Sequence, residues 1–311
     1  MIHETKNKIT TSGSVPTGLS DRHRGILYAV SGGVLWGGSG VAGQYLLQDA
    51  VFTTEWLVTA RLILGGLILL LIDGWQHHGE IFRIWKSRQN ARELVVFALF
   101  GMMLVSYSYF ACIRYGNAAA ATVMQYLMPA VIVLYTTVRY LRLPTKLELG
   151  CVGLAMLGTF LLVTHGDIRS LAIPFIAFVW GVVSAISGAI YTMMPRRLIR
   201  AWRAPLIIGW GMLLGGLALG LGTQPDFLHG TWTAVSAFAF AYLVLGGTVL
   251  AFSLYLGSTK YLEPSETGVL GSTEPVTAII LSILLLGQPI TLLDILGSAC
   301  ILLTVVLLAR R

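Results

Sequence analysis

The chain has 311 residues, 56% of them hydrophobic and only 11% charged, with a mean hydropathy of +0.77. A soluble domain needs about 25% charged residues for its polar skin, so an ordinary soluble enzyme, a disordered chain and a secreted disulfide scaffold are all excluded. The net charge of +7 would suggest nucleic acid in a soluble protein, but in a membrane protein it points instead to loops held on the cytoplasmic side, and nucleic acid is set aside as a partner.

One helix needs about 20 apolar residues to cross the hydrocarbon. Residues 1–24 are polar and are expected to form a cytoplasmic tail. Ten apolar runs follow, at 25–47, 53–73, 93–115, 118–142, 146–165, 171–194, 204–222, 233–258, 265–286 and 290–308. The first is too long for the core of a signal peptide. Gly116-Asn117 alone separates the third run from the fourth, and Gly287-Gln288-Pro289 the ninth from the tenth. The runs are continuously apolar without two-residue alternation, which excludes a β-barrel and predicts a helical bundle.

Basic residues set the orientation. Of the 21 Lys and Arg, eighteen fall in the two tails and the even-numbered connections, among them Lys6, Lys8, Arg83, Arg142, Arg200, Lys260, Arg310 and Arg311. The odd-numbered connections hold Arg114 and Arg169, and Arg61 lies inside the second run. Ten spans with both termini cytoplasmic account for that asymmetry. Cys112, Cys151 and Cys300 sit in apolar runs without ligand spacing, so neither a metal nor a disulfide is expected.

The chain repeats itself. Tyr109, Arg114, Tyr115, Val123 and Pro129 recur 146 positions later as Tyr255, Lys260, Tyr261, Val269 and Pro275; Ser39-Gly40 recurs as Ser187-Gly188 and Gly65-Gly66 as Gly215-Gly216. The expected units are residues 25–165 and 171–308. Five spans is an odd number, so the second unit enters from the opposite side. Inverted repeats of this kind build carriers in which the substrate sits near the bilayer midplane.

Two halves of five spans, Trp36-Gly37 in the first and Glu274-Pro275 in the ninth with Gly287 closing it, resemble the EamA family of the drug/metabolite transporter superfamily. The resemblance spans residues 25–308. It implies an inner-membrane permease without cofactor, commonly an exporter of amino acids or other small metabolites. It also implies a cavity lined by spans one, three, four, six, eight and nine. The first-half partner of Glu274-Pro275 is Met128-Pro129, so a symmetric pair of carboxylates is absent.

Glu274 lies about ten residues into its span, where an ionised carboxylate costs about 3 kcal/mol or more. Three roles stay open for it: a proton-coupling site, a counter-charge for a substrate ammonium, or a neutral carboxyl that stabilises the break at Pro275. Arg61 could bind a substrate carboxylate, but snorkelling to the outer interface is favoured for it. Trp36, Tyr107, Tyr109, Gln125, Tyr126, Tyr191 and Tyr255 are the expected binding residues, because a mid-span hydroxyl or amide needs a partner. Simple packing competes with that reading. Pro129 and Pro275 are expected to bend the helices around the cavity. The paired glycines are expected to let helices approach closely.

Two other classes compete. Gly37-Gly38-Ser39-Gly40 fits the motif of an intramembrane serine protease, but His3, His23, His77, His78, His165 and His229 all fall in tails, loops or span ends, so no base is within reach and an enzyme is not expected. Lipid translocation on the same ten-helix scaffold remains the alternative. The expected fold is thus an all-α integral membrane protein of ten transmembrane helices in two inverted five-helix repeats. Its expected partners are a small zwitterionic or cationic solute, membrane lipid and protons. Monomer and homodimer both fit.

Overall fold

A computed structural model describes residues 19–77, 80–141, 143–167, 172–226, 230–262 and 264–309. The tail before Leu19, with His3, Lys6 and Lys8, lies outside the described residues, as do His78, Arg142, Arg169, His229, Arg310 and Arg311.

The described residues form a bundle of ten apolar helices: α1 (Asp21–Gln48), α2 (Thr54–Gln76), α3 (Arg88–Tyr115), α4 (Ala118–Tyr140), α5 (Lys146–Thr164), α6 (Phe175–Ala201), α7 (Ala204–Thr223), α8 (Ala234–Ser258), α9 (Glu266–Leu286) and α10 (Leu292–Leu308). Nine are long enough to span by length and composition, and α10 is a shorter apolar helix. The end at which α1 begins carries the basic loops and is called the basic end here.

Local sequence explains the helix starts. Thr53, Ser87, Asn117, Thr145 and Thr233 each accept a hydrogen bond from a first-turn N–H, satisfying donors that have no partner inside the helix. Gly287 ends α9 at a φ of 61°, a conformation that glycine adopts without steric cost.

The repeat shows in the irregularities as well as the helix count. α3 contains a π-helical segment at Phe97–Met103, and α8 contains one at Tyr242–Leu250. α4 breaks between Gln125 and Met128, and α9 breaks at Ser272 between Gly271 and Thr273. Pro129 and Pro275 each follow the break by two or three residues. There a missing N–H costs little, because the first N–H groups of a helix have no partner. The residues expected to bend these helices therefore start new helical segments.

Packing crosses between the repeats. α1 lies against α8 and α9 of the other repeat, and α6 in turn lies against α3 and α4. Equivalent helices also meet, α2 with α7 and α5 with α10. Small residues permit the closest approaches. A Cβ at Gly66 would sit 2.7 Å from the Leu213 nitrogen, and one at Gly158 would sit 2.6 Å from the Gly297 carbonyl oxygen. Polar groups lock the end opposite the basic one. Gln48 donates to the carbonyls of Ile113 (2.8 Å) and Gly116 (2.9 Å), Gln44 accepts from the Ala118 N–H (2.8 Å), and Arg114 donates to the carbonyls of Leu47 (2.6 Å) and Phe52 (2.8 Å). In lipid, these backbone carbonyls and side chains must find protein partners.

Candidate functional site

The breaks in α4 and α9 lie level with each other, and the α9 break faces α1. The Tyr126 hydroxyl reaches from the α4 break across to α9, within 2.9 Å of the Gly271 carbonyl and 3.2 Å of Glu274 Oε2. It has one proton for two acceptors, so the carboxylate and the freed carbonyl compete for it. Trp36 of α1 packs on Tyr255 at 4.8 Å between ring centroids and on Phe252 at 5.1 Å.

Glycines on α1 bring these parts together. Gly33 and Gly37 face the α9 backbone around Glu274, Gly32 faces Tyr255, and Gly40 faces the Tyr109 hydroxyl. A larger residue at Gly33 or Gly37 would hold α9 away from α1.

Most of the expected binding residues converge. The Tyr126 hydroxyl reaches Glu274, the Tyr255 ring faces Gly271 and Gly32, and the Tyr109 hydroxyl faces Gly40; the Tyr191 ring tilts against Phe97 at 5.6 Å. Tyr109 bonds to the Thr122 hydroxyl at 2.8 Å. Gln125 donates to Ser184 Oγ at 3.0 Å, bridging α4 to α6. Trp36, Gln125, Tyr126, Tyr191, Tyr255 and Glu274 are each only partly buried. Tyr107 stands apart. Its hydroxyl donates to Glu55 Oε1 at 2.6 Å, near the start of α2, and its ring meets Trp180 edge-on.

Arg61 departs from the expectation that it snorkels outward. Its side chain turns into the bundle, where Nε donates to Thr248 Oγ1 at 2.9 Å and the guanidinium lies 5.1 Å from the centroid of the Phe110 ring. Thr248 belongs to the π-helical segment of α8, and its hydroxyl bonds the Leu243 carbonyl five residues back. Among the described residues neither Arg61 nor Glu274 has an ion-pair partner. Arg61 uses one of its five N–H donors on Thr248, leaving the planar fork available. Thr248, Thr122 and Ser184 had no signal in the sequence that set them apart from other small polar residues. Arg61 had one, a charge inside an apolar run; only its direction was hidden.

The site thus offers one cation, one acid, three tyrosine hydroxyls and a tryptophan face, in a setting where every charge is costly to leave unpaired.

Comparison with known proteins follows the same lines. The profile of the EamA-like transporter family matches residues 23–164 and again 175–310. The uncharacterized inner membrane transporter YicL of Salmonella typhimurium is 38% identical over 295 residues, covering 94% of this chain and 97% of that one. An uncharacterized transporter of Archaeoglobus fulgidus is 26% identical over 221 residues, covering 71% and 77%. A crystal structure superposes with a TM-score of 0.62 at 17% identity, covering 93% of this chain and 99% of the other. That last likeness concerns the fold alone.

Proposed function

The chain belongs to the EamA-like transporter family, and from that premise we propose that it exports a small organic solute carrying both an ammonium and a carboxylate, in exchange for protons. The observation that supports this reading is that a base and an acid on apolar helices both turn into the bundle, Arg61 toward Thr248 and Glu274 toward Tyr126, and that neither has an ion-pair partner among the described residues. A zwitterion bound between them supplies the missing partner to each, and the faces of Trp36 and Tyr255 enclose its side chain.

Glu274 provides the coupling. A single carboxylate can hold an ammonium or a proton but not both at once, so each displaces the other. Tyr126 follows the exchange. With Glu274 ionised, the hydroxyl proton turns to the carboxylate. With Glu274 protonated, the hydroxyl donates to Gly271 and can accept from the carboxyl. The two inverted repeats then present the site to either side in turn. With the basic end facing the cytoplasm of an inner membrane, the solute leaves as protons enter.

The test uses purified protein in proteoliposomes, with candidate solutes chosen by a thermal-shift screen of amino acids and related amines. Imposed pH gradients should drive transport by the parent. Glu274→Gln should retain counterflow of a bound solute at reduced rate and lose its response to the gradient. Gradient-driven transport that persists in Glu274→Gln removes this carboxylate from the coupling.

A further inference from the structure

Beyond the central site, the basic end holds a concave feature built from both repeats. The 3-10 helix Glu80–Lys86, which links α2 to α3, is fastened to the second repeat. The Trp210 indole N–H donates to the Ile81 carbonyl at 2.9 Å, and Phe82 and Trp85 both meet Trp210 edge-on. Arg197 binds Glu93 at 2.7 Å and Asn90 at 2.7 Å alongside. Between the link and the α6–α7 turn opens a cleft of about 690 Å³.

Four cations converge on this cleft: Arg83, Lys86, Arg200 and Arg203. Their local acids do not balance them. Arg203 is held fork-on by Asp73 at 2.9 Å through both nitrogens, and Asp73 is buried beneath it. Arg83 reaches Glu80 at 3.3 Å. Lys86 and Arg200 have neither a hydrogen bond nor an ion pair among the described residues. Cytoplasmic orientation accounts for the number of basic residues in these loops. It does not account for their convergence, from two loops about 115 residues apart, on one concavity with two charges left over.

The surroundings indicate where an anion would come from. Trp202 also lines the cleft, and Trp75 and Phe82, at the end of α2 and in the link, are exposed. Exposed aromatic rings at the end of a spanning helix mark the depth of lipid headgroups. We propose that the cleft binds the phosphate of an anionic phospholipid, with Lys86 and Arg200 as its charge partners and the aromatic rim against the lipid's glycerol and upper acyl chain. Because its two walls belong to different repeats, the bound headgroup ties them together at the basic end. The assignment is independent of what the central site carries.

Thermal unfolding of the full-length protein in a neutral detergent tests this. Dioctanoyl phosphatidylglycerol, dioctanoyl phosphatidylcholine and inorganic phosphate are titrated separately. The phosphatidylglycerol should raise the melting temperature by several degrees and saturate, while phosphatidylcholine and inorganic phosphate should leave it unchanged. The double variant Lys86→Gln/Arg200→Gln should lose at least half of that shift, and Arg88→Gln/Arg92→Gln, two charges outside its lining, should keep it. The two cleft side chains hold nothing in place, so their loss should not alter melting without lipid; Lys86→Gln alone serves if the pair does not purify. A full shift in the cleft variant overturns the site. An equal shift with inorganic phosphate overturns the lipid as its source.

Discussion

Alanine placed at three glycines of α5 should separate helix–helix contact from helix propensity. Gly150, Gly153 and Gly158 lie on one helix, and a Cβ at Gly150 or Gly153 would meet nothing within 4 Å. At Gly158 it would sit 2.6 Å from the Gly297 carbonyl oxygen and 3.0 Å from Cys300 Cβ, against ordinary contact from 3.4 Å outward. The two helices would have to part by about 0.8 Å at the oxygen, and overpacking of this kind costs about 1–3 kcal/mol. All three alanines gain the same propensity, up to about 1 kcal/mol over glycine. Gly150→Ala and Gly153→Ala should therefore be neutral or stabilising, with Gly158→Ala about 1–3 kcal/mol below them. Denaturant titration of purified protein in mixed micelles reads the difference directly. Three variants of equal stability would refute the close α5–α10 crossing and, with it, the argument from glycine contacts elsewhere in the bundle.

The other predictions concern the central site. Arg61→Gln should weaken binding of a carboxylated solute by about 1.5–3 kcal/mol, roughly 10- to 150-fold, the range for a hydrogen bond to a charged group. The corresponding decarboxylated amine should lose far less, and Arg61→Lys should restore part of the affinity; equal losses for acid and amine, measured by calorimetry, would return Arg61 to a packing role. Tyr126→Phe removes the donor shared by Gly271 and Glu274, and should cost about 1 kcal/mol in stability, within the range for interhelical bonds in membranes. It should also shift the pH dependence of transport, and an unchanged pH profile would detach Tyr126 from the proton exchange. Gly37→Ala would place a Cβ 2.9 Å from the Ala278 nitrogen, so α9 should retreat and solute binding should fall while the protein still inserts. Wild-type affinity in that variant would show that α1 and α9 do not meet there.

The architecture was legible because hydrocarbon thickness is written into a chain as length. Each apolar run became a helix, and 146 residues of offset became paired π-helical segments and paired breaks. Helix ends were less legible, since hydropathy stops where polar residues begin while backbone bonding continues. α3 starts at Arg88 rather than at residue 93, and a further short helix, Arg196–Ala201, follows the turn at Met194-Pro195 that ends the apolar part of α6. Side-chain direction was least legible. Nothing in the composition of α2 separates the face that meets α7 from the face that meets α8, so Arg61 could be counted but not aimed. Tyr107 was diverted for a similar reason, because its partner Glu55 lies 52 positions away in sequence. Glu274, Tyr126 and Trp36 stand out in the sequence because a charge, a hydroxyl and a glycine-flanked ring contrast with aliphatic neighbours.

The exchange of first helices between the repeats also governs how the molecule can be made. Gly37 meets Thr277 and Ala278, some 240 residues further along the chain. At about 5–20 residues per second of synthesis, α1 waits in the bilayer for roughly 10–50 s before α9 exists. Throughout that interval Gly33 and Gly37 face lipid or a temporary companion, whereas Gln44 meets the Ala118 N–H as soon as α4 is made. α6 has no such delay, since α3 and α4 are already in place when it emerges. Assembly is therefore lopsided in time even though the finished halves are alike, and the vulnerable period belongs to the first helix made.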